Sequence, residues 1–505
     1  MVAVVNFGGQ YAHLIARRVR DLGVKSELFS PDVDPQKLID KNPQAIIFSG
    51  SPHSVYVKNA PRPNLKIYYL NIPILGICYG HQLMAYQLNG KVSSHQSKQF
   101  GKEILKIKKS PIFERLKPTQ TVWFSHGDQI DKMPSGFTLI GSTNGAKIAA
   151  MQNLKKKFYG IQFHPEVTHT EGGRKILENF LFKISKAKID WNISKVKQDL
   201  IKELKNEIGN EKVIMALSGG VDSLVAATLL NRANINLKLV FIDTGLLRKD
   251  EPKEVREIVK KTGFKNFKII DARRRFLNIL KGVVDPEQKR QQIAKLYFTI
   301  FEEEAKKVGN VKYLGQGTIY PDRIESAVTS KHADKIKSHH NLTLPKGLKL
   351  KIVEPLSDFY KDEVRKLGKL LDIPSEFLHR HPFPGPALAI RILGEVTEDR
   401  LEILREADNI FIFELKKSGL YNEVGQAFAA LLPVKSVGVM GDARTYSYII
   451  SLRCVDTVDF MTADWTKIPN EILGKISTRI VNEVRGVNRV VYDITQKPPA
   501  TIEYE

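Results

Sequence analysis

Cysteine is scarce in this chain: its 505 residues include two, Cys78 and Cys454. Two thiols exclude a disulfide framework and a cysteine-rich zinc site, so each raises only the question of its own reactivity. Long apolar runs are also missing, and none approaches the roughly 18 residues needed to span a bilayer. The first residues, Met1 to Phe7, lack the basic leader of a secretory signal and read at once as a core strand. A cytoplasmic protein with no membrane partner is therefore expected. No internal repeat or low-complexity tract interrupts the chain. A G-x-x-x-x-G-K-[ST] run is absent too, which removes the lysine that grips terminal phosphates in a P-loop.

What is present is globular. Hydrophobic residues make up 42% and charged residues 26% of a chain too long for one core, so about three or four domains is the starting expectation. The formal charge of +23 invites a nucleic-acid reading. The basic residues argue against it: they are spread over Lys102 to Lys109, Lys155 to Lys157, Lys183 to Lys197 and Lys331 to Lys351, with no basic tail and no aromatic-rich RNA motif. They read as solvated faces that modestly attract anionic nucleotides, and no nucleic-acid partner is expected.

Short apolar runs alternate with helical periods from the start: Val2 to Phe7, a helix near Gln10 to Leu22, Ser26 to Phe29, Ala45 to Phe48, and Ile72 to Cys78 leading into a helix to Leu88. This β/α alternation predicts a mostly parallel sheet. Strands at Lys147 to Met151 and Phe158 to Phe163 lead to a helix ending near Lys186. After a lysine-rich boundary the alternation restarts with Val213 to Leu217, Leu237 to Ile242, Phe267 to Ile270 and Val311 to Leu314. The fold class is thus α/β, with two doubly wound, mostly parallel-sheet domains. At His381-Pro382-Phe383-Pro384-Gly385-Pro386 three prolines forbid continuous helix or central strand. A helix near Glu398 to Ser418 and strands at Val434 to Met440, Ser447 to Arg453 and Val487 to Asp493 then predict a small α+β C-terminal domain.

The most informative segment is Val213 to Ser223, an apolar strand that runs into Ser218-Gly219-Gly220-Val221-Asp222-Ser223 and then a helix. Amides freed by the glycines, together with the helix N-terminus, favour negative charge at one spot, and Ser218 and Ser223 add hydroxyl donors. An ordinary capped strand-turn-helix is the bland alternative. S-G-G-x-D-S resembles the pyrophosphate loop of ATP pyrophosphatases, which split ATP into AMP and pyrophosphate while activating an oxygen of a second substrate.

A second centre lies upstream. Gly76-Ile77-Cys78-Tyr79-Gly80 is G-x-C-x-G between a strand and a helix, a nucleophile elbow with sulfur for oxygen. Cys78 is expected to be exposed at the helix N-terminus, whose dipole favours the thiolate. For an isolated cysteine a buried structural role would be preferred; the flanking glycines reverse that preference. In Gln162 to Val167, proline pushes His164 extended, so His164 and Glu166 project the same way. His164 suits a general base and Glu166 its orienting acid. Cys78, His164 and Glu166 resemble, in order and flanking motif, the triad of class I glutamine amidotransferases. That resemblance implies glutamine binding by Gln82 and an oxyanion hole from the Tyr79 amide and an amide of Gly50 or Ser51. The family usually carries Gly-Gly before Pro52, so unusual backbone geometry is expected at Ser51.

Further candidates follow the phosphate loop. Asp243 stands just past a strand end, where open α/β sheets bind ligands, and is a candidate for Mg²⁺ or ribose. Leu314 to Ser326 again ends a strand with glycines, placing Gly315 and Thr318 near the nucleotide and offering Asp322 and Glu325 to a substrate loop. Lys337, His339 and His340 add a cation and two imidazoles. Adjacent histidines in a strand face opposite ways, so phosphate or substrate contact is preferred to a shared zinc, while Lys337 equally reads as a solvated lysine.

With the closing Lys497-Pro498-Pro499-Ala500-Thr501-Ile502-Glu503-Tyr504-Glu505, these motifs are similar from end to end to the GMP synthase family. The resemblance implies a glutamine amidotransferase domain at 1–187, an ATP pyrophosphatase domain at 188–381 and a C-terminal domain at 382–505 that dimerises and helps bind xanthosine monophosphate (XMP). It implies glutamine, MgATP and XMP as small-molecule partners, a homodimer, and no organic prosthetic group. It associates His381, Pro384, Gly385, Lys497 and Glu503 with XMP; Gln426, Lys435 and Arg444 suit XMP or a dimer interface equally. Asn341 to Pro345 and Tyr504 depart from the family's usual Gly-Gly-Pro and tryptophan. Rival readings are another amidotransferase with an adenylating partner, which would lack H-P-F-P-G-P with K-P-P-A-T-I-E, and a tRNA-thiolating enzyme, which would need more downstream cysteine than Cys454.

Overall fold

The computed structural model describes residues 1–9, 11–322, 350–440, 442–457 and 462–505. The chain divides into two compact units, Met1–Asn192 and Ile193–Glu505.

The first unit holds a nine-stranded sheet. Its strands are β1 (Val2–Val5), β2 (Ser26–Phe29), β3 (Ala45–Phe48), β4 (Ile74–Ile77), β5 (Lys91–Ile107), β6 (Thr119–Lys132), β7 (Thr138–Ser142), β8 (Ala150–Asn153) and β9 (Phe158–Ile161). They lie in the order β2-β1-β3-β4-β9-β8-β7-β5-β6. The first five in that order pair in parallel, and antiparallel pairing begins at β8. Val2 and Val4 point into one apolar cluster while Ala3 and Val5 point into another, so helices cover both faces, as near-continuous apolar strands require. The β5–β6 ribbon was not anticipated from the sequence; its long antiparallel pairing runs from Lys91 opposite Lys132 to Lys106 opposite Thr119.

The second unit holds two sheets. β10 (Lys212–Ala216), β11 (Asn236–Asp243), β12 (Phe267–Asp271), β13 (Val311–Gly315) and β14 (Lys351–Val353) form a parallel sheet in the order β12-β11-β10-β13-β14. Strand order reverses beside β10, so the crevice past its carboxyl end is a topological switch point, the usual ligand position in open α/β sheets. β15 (Gln426–Met440), β16 (Ala443–Asp456), β17 (Asp464–Trp465) and β18 (Val487–Tyr492) form the smaller sheet. Helices Glu398–Lys417 and Asn470–Glu483 accompany it. One apolar cluster runs from Ile214 and Val240 through Ala389 and Leu404 to Ile450 and Cys454, so both sheets share a core. Among the described residues no helix is long and apolar enough to cross a membrane.

Candidate active sites

In the first unit the carboxyl ends of β3, β4 and β9 lead to Gly50, Cys78 and His164. Cys78 connects β4 to helix Tyr79–Gln87 with φ +54° and ψ −107°. A non-glycine residue there costs about 1–3 kcal/mol, which the surroundings must impose. Gly80 is one reason they can: a side-chain carbon on it would sit 2.5 Å from the Phe48 Cβ, so only glycine lets the helix start against β3. Contrary to the expected exposure, Cys78 is only 5% exposed, because the β6 strand covers it; its Sγ lies 3.7 Å from the Ser125 carbonyl oxygen.

The three residues of the proposed triad come together. His164 Nδ1 is 2.7 Å from Glu166 Oε1, both side chains are buried, and the imidazole is within hydrogen-bonding reach of the Cys78 sulfur. Burial alone would push His164 down, but the Glu166 carboxylate and the Cys78 sulfur outweigh it and hold the imidazole well above its ordinary value. A side-chain carbon at Gly50 would lie 3.4 Å from His164 Cε1 and 3.8 Å from Cys78 Cβ, so the Gly50 turn borders both groups. Ser51, where unusual backbone geometry was expected, has no positive φ, and its hydroxyl caps its own turn, accepting from the His53 amide at 3.2 Å. Gln82 is buried beside the site, and its amide donates to the Asp128 carbonyl at 2.8 Å and to Gln162 Oε1 at 3.1 Å.

Supporting residues escaped the sequence reading. Thr170 donates to the His164 carbonyl at 2.6 Å and accepts from the Trp123 amide at 3.1 Å. Arg18 donates to the Glu166 carbonyl at 3.0 Å, and the Tyr11 ring packs 4.9 Å from that of His164. Thr170 stands near the His164 motif, while Tyr11 and Arg18 carry no sequence signal of this role.

In the second unit the glycine loop lies between β10 and helix Val221–Arg232, at the switch point. Gly219 has φ +79°, a conformation that only glycine takes without strain. Ser218 and Ser223 hydroxyls meet at 3.0 Å, and Ser223 also accepts from the Ser218 amide at 3.2 Å, which tightens the loop. The segment after β13 packs hard on it: a side-chain carbon at Gly317 would lie 2.9 Å from the Ser223 nitrogen. Asp222 Oδ1, Gln316 Oε1 and Thr318 Oγ1 are buried here without a hydrogen-bond partner. Buried polar groups are rarely left so, and these suit a polar ligand. Lys361 donates to Asp222 Oδ2 at 2.5 Å, and Arg380 donates to the Gly219 carbonyl at 3.3 Å; neither was singled out from the sequence.

Asp243 is the last residue of β11, one strand over. Its Oδ1 accepts from the Gly245 amide at 3.0 Å, and its Oδ2 is 3.8 Å from Arg273 Nε. Among the described residues no three His, Cys, Asp or Glu side chains cluster as a metal site. Asp222 lies in the loop, Gly315 packs on Met215 and Leu230 at the end of β13, and Asp322 turns back to accept from the Ile319 amide at 3.2 Å. Glu325, Lys337, His339, His340 and the Asn341 to Pro345 departure lie outside the described residues.

Of the residues expected at XMP, His381 and Glu503 are held by contacts within the chain. His381 stacks on Tyr421 with ring centroids 3.8 Å apart, and both ring nitrogens bond inside the chain: Nε2 at 2.8 Å to the Tyr421 carbonyl and Nδ1 at 3.2 Å from the Ala427 amide. Burial pushes its pKa down to about 4, so a neutral imidazole shapes the loop from within. Arg391 forms a bidentate pair with Glu503, and Gln426 donates to the same carboxylate at 2.8 Å. The Lys497 backbone pairs with Ala463. Tyr504, in place of tryptophan, donates to Asp493 at 3.0 Å and meets the Ser451 hydroxyl at 2.8 Å. Cys454 is buried, and burial pushes its thiol up to about 11, so it is a core residue.

Comparison with known proteins matches residues 3–184 to class-I glutamine amidotransferases, 212–312 to the phosphoadenosine phosphosulfate reductase domain and 413–504 to the GMP synthase C terminal domain. The chain therefore joins a glutamine amidotransferase to an ATP-using nucleotide domain of the ATP pyrophosphatase type. Glutamine-hydrolysing GMP synthases of Thermosipho melanesiensis, Thermosipho africanus and Aquifex aeolicus are each 52% identical to it over 100% of this chain and 99% of theirs. The chain belongs to the glutamine-hydrolysing GMP synthase family.

Proposed function

We propose that this chain converts XMP to GMP, with residues 1–187 releasing ammonia from glutamine, 188–381 using ATP, and 382–505 completing the XMP site and pairing two copies in a cytoplasmic homodimer. The C2 oxygen of XMP attacks the α-phosphorus of ATP, pyrophosphate leaves, and ammonia then displaces AMP from C2. Adenylylation turns a poor leaving oxygen into a phosphate ester, which leaves readily.

Cys78 attacks the glutamine carboxamide, His164 moves the proton from sulfur to the departing ammonia, and Glu166 keeps the imidazole oriented. Gln82 lines the glutamine position, and the Tyr79 amide with an amide of Gly50 or Ser51 receives the oxyanion. Ser218 to Ser223 hold the pyrophosphate end of ATP, with Gly315 and Thr318 beside the nucleotide. Pro384, Gly385, Lys497 and Glu503 contact XMP. Mg²⁺ accompanies the ATP: Asp222, whose Oδ1 is buried and unpartnered, and Asp243 would hold it together with phosphate oxygens, the usual way this ion is bound. When present it neutralises polyphosphate charge. The strand hairpin of β15 and β16 carries exposed Val437, Val439 and Tyr446, which supports self-association there.

The observation that carries this reading is the triad of Cys78, His164 and Glu166 in the same chain as a glycine loop ringed by unpartnered buried polar atoms. Incubation with XMP, MgATP and glutamine tests it: GMP, AMP and pyrophosphate are expected in equal amounts, and ADP with phosphate would refute it.

A further inference from the structure

We propose that Arg391 is a positioning residue of the XMP site, acting through Glu503 and Phe383. The inference rests on the reading that XMP binds at segment 381–386 and Glu503.

Arg391 is 0% exposed, a position where an unpaired guanidinium would be strongly disfavoured. Its Nε donates to Glu503 Oε2 at 3.0 Å and its Nη2 to Oε1 at 2.8 Å, a fork that fixes both the plane and the charge of the carboxylate. Gln426 donates to the same Oε1 and, at 3.3 Å, to the Pro382 carbonyl. The guanidinium carbon is 4.1 Å from the Phe428 ring centre and 5.1 Å from that of Phe383, within the range of cation–π attraction. Arg248 approaches the same Phe383 ring, at 4.8 Å. One guanidinium thus ties the terminal carboxylate to the ring of the proline loop.

A buried pair of this kind is weak evidence for stability, because well-packed apolar residues often do as well. Its geometry points elsewhere. A carboxylate oxygen has two lone pairs. Oε1 already accepts from Arg391 and Gln426, so Oε2 keeps one acceptor direction, and the Glu503 side chain is 18% exposed. Arg391 Nη1, outside the fork, stays buried and unpartnered. Arg391 therefore limits Glu503 to one outward acceptor, suited to an O–H or N–H donor of the nucleotide.

The test uses the full chain with ammonium as nitrogen donor, comparing Arg391→Met, Arg391→Lys and Gln426→Leu. Loss of a charge-assisted fork predicts a KM for XMP raised about tenfold to a hundredfold in Arg391→Met, with the KM for ATP within about twofold of wild type. Arg391→Lys, which keeps the charge without the fork, should recover part of that loss. Gln426→Leu should give the same XMP-selective change on a smaller scale, and it decides the matter if the Arg391 variants do not fold. An unchanged KM for XMP, or equal losses toward XMP and ATP, overturns the inference. Failure of the wild-type chain to form GMP from XMP would overturn the reading beneath it.

Discussion

Lys361 donates to Asp222 Oδ2 at 2.5 Å, while Oδ1 of the same carboxylate is buried with no hydrogen-bond partner. A carboxylate beside a phosphate-binding loop would repel its ligand unless a cation stands with it. Lys361 supplies one such charge, and a lysine is absent from the loop itself. Replacing Lys361 with Gln is expected to raise the KM for ATP about fivefold, a partial loss because both groups are partly solvated. Glutamine hydrolysis in the other unit should be unaffected. Steady-state kinetics with ATP varied checks this, and an unchanged KM for ATP would contradict it.

Cys78→Ala is expected to remove glutamine-dependent synthesis and to spare synthesis from ammonium salts, since in the proposed reaction the thiol serves only to release ammonia. Parallel assays with the two nitrogen donors decide it. Equal loss with both would show that the two centres do not divide the work this way.

Glu166→Gln is expected to lower the glutaminase kcat by a factor on the order of 10²–10⁴, the range seen when the acid of such a triad is neutralised. It should also move the limb of the pH profile governed by His164 downward. The sign follows from the structure: the Glu166 carboxylate and Cys78 sulfur hold His164 high against the effect of burial, so removing the carboxylate lets its pKa fall. A pH–rate profile whose His164 limb is unmoved in the variant would rule this out.

His81, His126 and His381 are buried, and burial pushes each down to about 4. A depressed imidazole binds fewer protons folded than unfolded. Stability from each is complete above the ordinary value near 6.5 and is lost as pH falls from there toward about 4, at up to about 1.4 kcal/mol per pH unit per group. NMR titration of the histidine ring protons should find these three still neutral at about pH 5. Ordinary midpoints near 6.5 would refute the assignment.

The two candidate sites were legible because each demands local backbone chemistry. Gly80 has to let a helix start against β3, and Gly219 has to turn left-handed; such requirements are written in adjacent residues. The supporting side chains come from far along the chain: Lys361 reaches Asp222 across 139 residues and Arg391 reaches Glu503 across 112. A lone lysine or arginine carries no trace of its partner, so neither was singled out. The burial of Cys78 was missed for a related reason, since the covering strand belongs to the β5–β6 ribbon, whose pairing is set by tertiary context. The sequence reading of Ser51 failed in the opposite direction: a departure from Gly-Gly predicted strain, and a side-chain capped turn accommodates it instead.

Activation of XMP by adenylylation of its C2 oxygen can be followed by an isotope. XMP labelled with ¹⁸O at C2, incubated with the chain, MgATP and glutamine, tests it by mass spectrometry of the products. The label is expected to leave in the phosphate of AMP while pyrophosphate stays unlabelled. Label found in inorganic phosphate or pyrophosphate, with AMP unlabelled, would contradict it.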